Sequence, residues 1–177
     1  MRPDILTANG CYFNFIDPSA ETVDIETIAH ALSHICRYTG HTREFYSVAQ
    51  HSVLVSYLVP PQHALAGLLH DAAEAYIGDV SAPLKRLLPD YKAIEKRVEA
   101  VVLAKFGLPP DLPIEVKAAD MCALATEQRD LMPKHSDVWE WETTPGIKPV
   151  RWTIYAQSSV DANKWFLQRF AELVAKC

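Results

Sequence analysis

A chain of 177 residues is long enough for one sizeable hydrophobic core and short for two ordinary domains. Hydrophobic residues at 49% and charged ones at 22% belong to a globular protein rather than a disordered one. The formal net charge of -5 argues against broad nucleic-acid binding, which needs a basic surface, while leaving room for one small anionic ligand held by a few local cations.

Residues 5–16 hold Asn9-Gly10 between short β-prone pieces, the strongest brief signal for a hairpin. Asp17, Pro18 and Ser19 break that pattern. Asp24 can then cap a helix in which Ile28, Leu32, Ile35 and Cys36 recur at helical spacing, with its end expected near Tyr38, before Gly40. A polar loop over residues 39–46 carries His41 and Arg43. The second helix, with Val48, Ser52, Val55 and Val59, contains His51 and runs to the Pro60-Pro61 stop. A third begins after Pro61, takes in residues 68–77 without a break and stops at Gly78, leaving Asp79 just beyond. Pro83 and Pro89 punctuate a loop with Lys85 and Arg86 between them. The fourth helix covers residues 91–106, with Ile94, Val98, Val101 and Val102 inward and Gly107 as its stop. After a proline-rich connector, residues 114–131 form a fifth helix around a single acid, Asp120. Residues 133–155, rich in Trp and Pro, have no helical period and predict a surface loop or short hairpin. Ser159 is the expected cap of the last helix, in which Val160, Phe166, Leu167, Phe170 and Val174 face the core. About six helices and one small hairpin make a single all-α domain over residues 1–177.

The sequence has no run of 18 apolar residues, and its first residues lack a signal-peptide core, so a soluble, cytoplasmic protein with no membrane partner is expected. Cys11, Cys36, Cys122 and Cys177 are scattered, which fits reduced thiols and speaks against a structural zinc knot.

The chemistry concentrates in residues 68–79, where His70, Asp71, Glu74 and Asp79 interrupt an apolar run. Ionisable groups there are costly unless paired or bound to a metal. His51 and Asp120 repeat the anomaly on two other helices. Two imidazoles and two carboxylates suit a divalent transition ion with positions left open for water or substrate, and Glu74, one helical turn past His70, would serve that water. The bland alternative makes His51 a satisfied core histidine and Asp120 an ion pair with Lys117 or Arg129. It would require three helices each to bury an unexplained polar group. His30 and His34 form a competing i, i+4 pair, but the adjacent glutamate of a zincin is missing, and an exposed or capping role suits them. His63 and His135 read as surface residues. Arg37 can grip a phosphate with its planar fork and Tyr38 can wall a base or sugar, or Arg37 can simply compensate a helix dipole. Lys85 and Lys117 carry the same two readings.

These residues resemble those of the HD superfamily of metal-dependent phosphohydrolases, whose name comes from a doublet such as His70-Asp71. The likeness runs from about residue 25 to 131, with 35–38 (ICRY), 47–52 (SVAQHS), 68–79 (LLHDAAEAYIGD) and 116–120 (VKAAD) in order. It is strongest to bacterial 5'-deoxynucleotidases and to compact phage-type dNTP triphosphohydrolases, including those acting on dATP. The resemblance implies an all-α HD-domain bundle in which His51, His70, Asp71 and Asp120 bind one divalent ion: zinc, cobalt or manganese. Magnesium or another ion would accompany the substrate phosphates. It further implies that Glu74 assists the attacking water, Asp79 contacts the sugar, Arg37 holds the phosphate, Tyr38 lies near the base or sugar, and Lys85 and Lys117 face the phosphate tail. Tyr38 departs from the tryptophan of the deoxynucleotidases. No histidine lies between Asp71 and Asp120, which disfavours a second metal and a cyclic-dinucleotide phosphodiesterase.

The expected activity is cleavage between the 5' oxygen and the α phosphorus of a deoxynucleotide, with dATP leading, dNMP as the alternative, and a non-catalytic nucleotide-binding module as the reading from another class. Chains of this kind often assemble, so a homo-oligomer is expected, and the 139–152 segment suits an interface, a lid or plain core.

Overall fold

The computed structural model describes residues 2–175. Strands β1 (Asp4–Leu6) and β2 (Tyr12–Asn14) pair antiparallel with Ile5 opposite Phe13, and Gly10 takes φ 82° in the connection, where a side chain would be strained. Asp24 caps α1 (Ile25–His34) by accepting from Thr27 N at 2.7 Å. Helices α2 (Val48–Leu58), α3 (Ala64–Leu69), α4 (Glu74–Ile77), α5 (Ala82–Lys85), α6 (Pro89–Lys105), α7 (Ile114–Leu131), α8 (Glu140–Thr143) and α9 (Ser159–Val174) follow. With α1, six of the helices are longer elements, and α4, α5 and α8 are single turns, so the architecture is all-α with an N-terminal hairpin.

Helix α2 is the axis of the bundle. It packs against α1, α3, α7 and α9, and Val48, Ala49 and Val55 are wholly buried there. Ile28 and Leu32 of α1, Leu68 and Leu69 of α3, Val98 and Val102 of α6 and Phe166 of α9 complete one continuous core. No helix among the described residues is long and apolar enough to cross a membrane. Cys11, Cys36 and Cys122 are free thiols, and Cys177 lies outside the described residues.

Several local expectations are corrected. α1 stops at His34, four residues early, because residues 35–37 turn extended and pair with 46–48: Val48 N donates to Ile35 O at 3.0 Å and Arg37 N to Tyr46 O at 2.9 Å. The third helix is interrupted at residues 70–73. α6 starts at Pro89, whose missing N–H costs nothing in a first turn, rather than at residue 91. Residues 133–155 form the expected loop, with the single turn α8 in it and no hairpin. On α9 the cap is Ser158, one residue early, and Val160 and Val174 point to solvent while Leu173 takes the buried position.

Candidate metal centre

Ser47 caps α2, its hydroxyl accepting from Gln50 N at 3.2 Å, and the helix phase so set turns His51 into the core with no solvent exposure. α3 reaches α2 at Gly67. A Cβ at that position would meet Val59 Cγ2 at 3.0 Å and Ser56 Cα at 3.2 Å, so glycine lets the two helices approach. His70 follows three residues on and its Nδ1 donates to the Gly67 carbonyl at 2.9 Å. On the other ring, His51 Nδ1 lies 2.6 Å from Glu127 Oε1. With both Nδ1 atoms committed, the two Nε2 atoms face each other at 3.3 Å. Two lone pairs at that distance repel unless a proton or a cation lies between them.

Carboxylates close in on the same point. Asp120 Oδ1 is 3.1 Å from His51 Nε2 and 4.0 Å from His70 Nε2, and Asp71 Oδ2 is 3.6 Å and 3.2 Å from the same atoms. Asp120 forms no ion pair with Lys117 or Arg129; the latter holds Asp130 instead. His51, His70 and Asp120 form a group whose ligand atoms lie within 4.8 Å of one another and which can hold a metal ion. The donor set fits a divalent ion, and each imidazole is backed by an acceptor on its other nitrogen, the arrangement that fixes the ligating tautomer.

Residues 70–73 form a tightened turn, with Ala72 N donating to Leu69 O at 3.1 Å and Glu74 N to Asp71 O at 3.0 Å. Such i, i+3 bonding eclipses residues three apart, so Asp71 and Glu74 share a face where an unbroken helix would pair His70 with Glu74. Glu74 is buried and its Oε2 has no hydrogen-bond partner among the described residues. Burial first, then the charges of Asp71 and Asp79, push its carboxyl well above the usual range. Gly78, at φ 78°, ends α4 and delivers part-buried Asp79, whose carboxyl is raised by burial and Asp71 against the opposing pull of Arg37.

Glu127 is the residue that sequence reasoning missed. It lies seven residues after Asp120, two turns along the same face of α7, so the helix carries two inward acids. Fully buried, Glu127 accepts from Tyr38 OH at 2.6 Å and Tyr46 OH at 3.0 Å, and pairs with Arg37 Nη2 at 3.2 Å as well as with His51. Burial opposes its charge, but Arg37 and His51 outweigh that and hold the carboxyl well below its usual range. Asp71 is lowered likewise, His70 leading the groups that overcome its burial. His51 is raised to about 9: burial and Arg37 lower it, and Glu127 and Asp120 more than compensate.

Arg37 also reaches Asp71 Oδ2 at 3.5 Å, and its buried Nε has no partner among the described residues. Tyr38, Thr39 and Gly40 adopt φ of 55°, 54° and 80°, a left-handed turn that costs about 1–2 kcal/mol per non-glycine residue and is held by the Tyr38–Glu127 bond. Lys85 pairs with Glu95 at 2.5 Å, and Lys117 stands exposed on α7 with no ion pair among the described residues. Trp139 lies with its ring centroid 6.2 Å from that of Tyr38, so the 133–142 segment borders the site.

Fold and site together define an all-α domain with a buried histidine–carboxylate group able to hold a metal ion. The chain is 44% identical over 176 residues to the uncharacterized protein YfdR of Escherichia coli (strain K12), covering 98% of each, and it belongs to the same family as that protein. It is also 37% identical over 121 residues to the uncharacterized protein RCAP_rcc00048 of Rhodobacter capsulatus, covering 63% of this chain and 62% of the other. No protein-family model matches the chain.

Proposed function

We propose that this protein is a metal-dependent phosphohydrolase that cleaves the bond between the 5' oxygen and the α phosphorus of a deoxynucleotide, with dATP as the leading substrate. The observation that carries this reading is the convergence of His51 Nε2, His70 Nε2, Asp71 Oδ2 and Asp120 Oδ1 beside two orphaned buried polar atoms, Glu74 Oε2 and Arg37 Nε. Buried polar atoms without partners are uncommon, and a phosphate and its attacking water would satisfy both. His51, His70, Asp71 and Asp120 would hold one zinc, cobalt or manganese ion. When bound, such an ion supplies Lewis acidity, drawing charge from a phosphoryl oxygen and making water acidic enough to lose a proton near neutral pH.

The chain's own groups divide the remaining work. Glu74 accepts the proton of the attacking water at Oε2, the partnerless oxygen of a carboxyl whose proton affinity burial has raised. Arg37 donates Nε to a phosphoryl oxygen while Glu127 and Asp71 hold its fork in place, stabilising charge on the transferring group. Asp79 accepts from the sugar 3' hydroxyl, and Tyr38 walls the sugar or base. A monophosphate substrate is favoured by a different observation: Lys85 is engaged by Glu95, leaving exposed Lys117 as the cation for a β or γ group.

The test is to supply cobalt or manganese, offer dATP and dAMP separately and identify the phosphorus product by phosphorus NMR. Triphosphate from dATP with dAMP intact supports the first reading. Orthophosphate from dAMP alone supports the second, and no product from either substrate with either metal overturns both in favour of a nucleotide-binding module.

A further inference from the structure

We propose a second small-molecule site, on the face of α2 turned away from His51, that binds an uncharged nucleoside; the choice of a nucleoside rests on the phosphohydrolase reading, of which it is the product. A cavity of about 470 Å³ lies between α2, α9 and residues 153–157, inside the range of about 300–1,000 Å³ usual for ligand pockets. Gln50 builds its rim: Nε2 donates to the Tyr155 carbonyl at 2.7 Å and Oε1 accepts from Gln157 N at 2.9 Å, stapling that segment to α2.

The walls suit a flat ring. Tyr46, Tyr57, Tyr155 and Trp165 line the cavity with Val53 and Leu54, and Tyr57, Tyr155 and Trp165 expose their rings to solvent. Arg169 lies 3.9 Å over the Tyr57 ring, held by Ser56 Oγ at 3.0 Å and Ser56 O at 3.1 Å, so guanidinium and phenol present a fixed stack. Its charge is met by Glu172 at 3.3 Å, and among the described residues the cavity has no other cation in its lining. A phosphate therefore finds no free counter-charge among the described residues of the lining, whereas an uncharged heterocycle gains stacking. The side chains of Thr153 and Gln157 make no hydrogen bond among the described residues and supply polar partners for the edge of the base. The site is one residue deep from the metal centre, because Tyr46 backs the cavity and also donates to Glu127.

Calorimetry on the full chain, without metal, uses 2'-deoxyadenosine and dAMP as probes against wild type, Trp165→Ala, Leu54→Trp and Asp120→Ala. Expected are saturable deoxyadenosine binding that Asp120→Ala preserves, a loss of roughly ten-fold or more in Trp165→Ala for one missing stacking face, and no binding in the cavity-filled Leu54→Trp. Adding a phosphate, as in dAMP, should weaken binding. Absence of saturable heat at millimolar deoxyadenosine, or binding that neither cavity variant moves, overturns the site. Trp165 is partly exposed, so its variant retains the fold even where Leu54→Trp does not. Turnover plays no part in these measurements, so a failure of the phosphohydrolase reading appears separately, as the absence of a phosphorus product.

Discussion

Two histidine pairs sit at opposite ends of the same packing problem. His30 and His34 lie on one helix at the i, i+4 spacing most associated with metal ligation, their ring centroids 4.4 Å apart, yet both are exposed, and His34 Nδ1 is spent capping the His30 carbonyl at 2.7 Å. His51 and His70 lie on different helices 19 positions apart and meet at 3.3 Å in the core. The decisive difference is what stands behind each ring. Buried acceptors, Glu127 and the Gly67 carbonyl, turn both Nε2 atoms to one point, whereas His34 Nδ1 meets groups of its own helix, the His30 carbonyl and the Ser33 hydroxyl at 3.2 Å, and the exposed pair has no partner from a second helix among the described residues.

If Glu127 is what makes the buried pair a site, its removal should have the largest effect. Glu127→Gln keeps the shape but leaves Arg37 and His51 without their buried counter-charge, a change that costs about 3–5 kcal/mol when one partner of a buried pair is lost. Chemical denaturation should read that loss, and metal titration should show affinity about 10–100-fold weaker. A variant as stable and as tightly metallated as wild type would remove Glu127 from the explanation.

Glu74 sharpens the comparison from the other side, since it is buried without a partner. Its folded pKa is raised, so the stabilising form is the neutral one, present below the unfolded value of about 4.3 and lost as pH rises through the folded pKa. Glu74→Gln should therefore raise the thermal midpoint at neutral pH by about 2–4 °C, the shift that one kcal/mol produces in a domain of this size, with the gain vanishing below about pH 4. Turnover should fall by about 10²–10⁴-fold. A destabilised variant would mean that Glu74 is a structural hydrogen-bonding group instead.

Much of this was legible in the chain. The hairpin, α2 with its Pro60 stop, α7 and the Gly78 stop follow from local chemistry that tertiary packing did not override, and His51, His70, Asp71 and Asp120 stood out as polar groups in apolar runs. What failed was anything decided by distant contacts. α1 ends early because residue 35 bonds to residue 48, a pairing no helical period reveals. Hydrophobicity alone puts Val160 and Val174 inward, and the helix phase set by Ser158 turns them out. Glu127 was overlooked because an acid between Thr126 and Gln128 looks like an ordinary solvated face. Its spacing of seven from Asp120 was the available signal.

A pH titration of metal binding tests the converging geometry more finely. With no metal, His51 holds its second proton up to about pH 9, so the stability that proton contributes is complete below about 6.5 and disappears as pH rises through 9. The same proton must leave before Nε2 can ligate. Apparent metal affinity should climb with pH, by as much as ten-fold per unit for one displaced proton, and level off near 9. A flat profile from pH 6 to 9 would mean that His51 does not bind the ion.

The smallest expected effect belongs to the exposed pair. Replacing both His30 and His34 by Ala removes the contacts of His34 Nδ1 with the His30 carbonyl and the Ser33 hydroxyl and two solvated rings, a surface change worth about 0.5 kcal/mol or less. Metal stoichiometry and affinity should be unchanged, because neither ring lies in the group formed by His51, His70 and Asp120. Should the double variant instead lose an equivalent of bound metal, spacing on a single exposed helix would have built a site without a partner from a second helix behind either ring, and the contrast between the two pairs would fail at its weaker end.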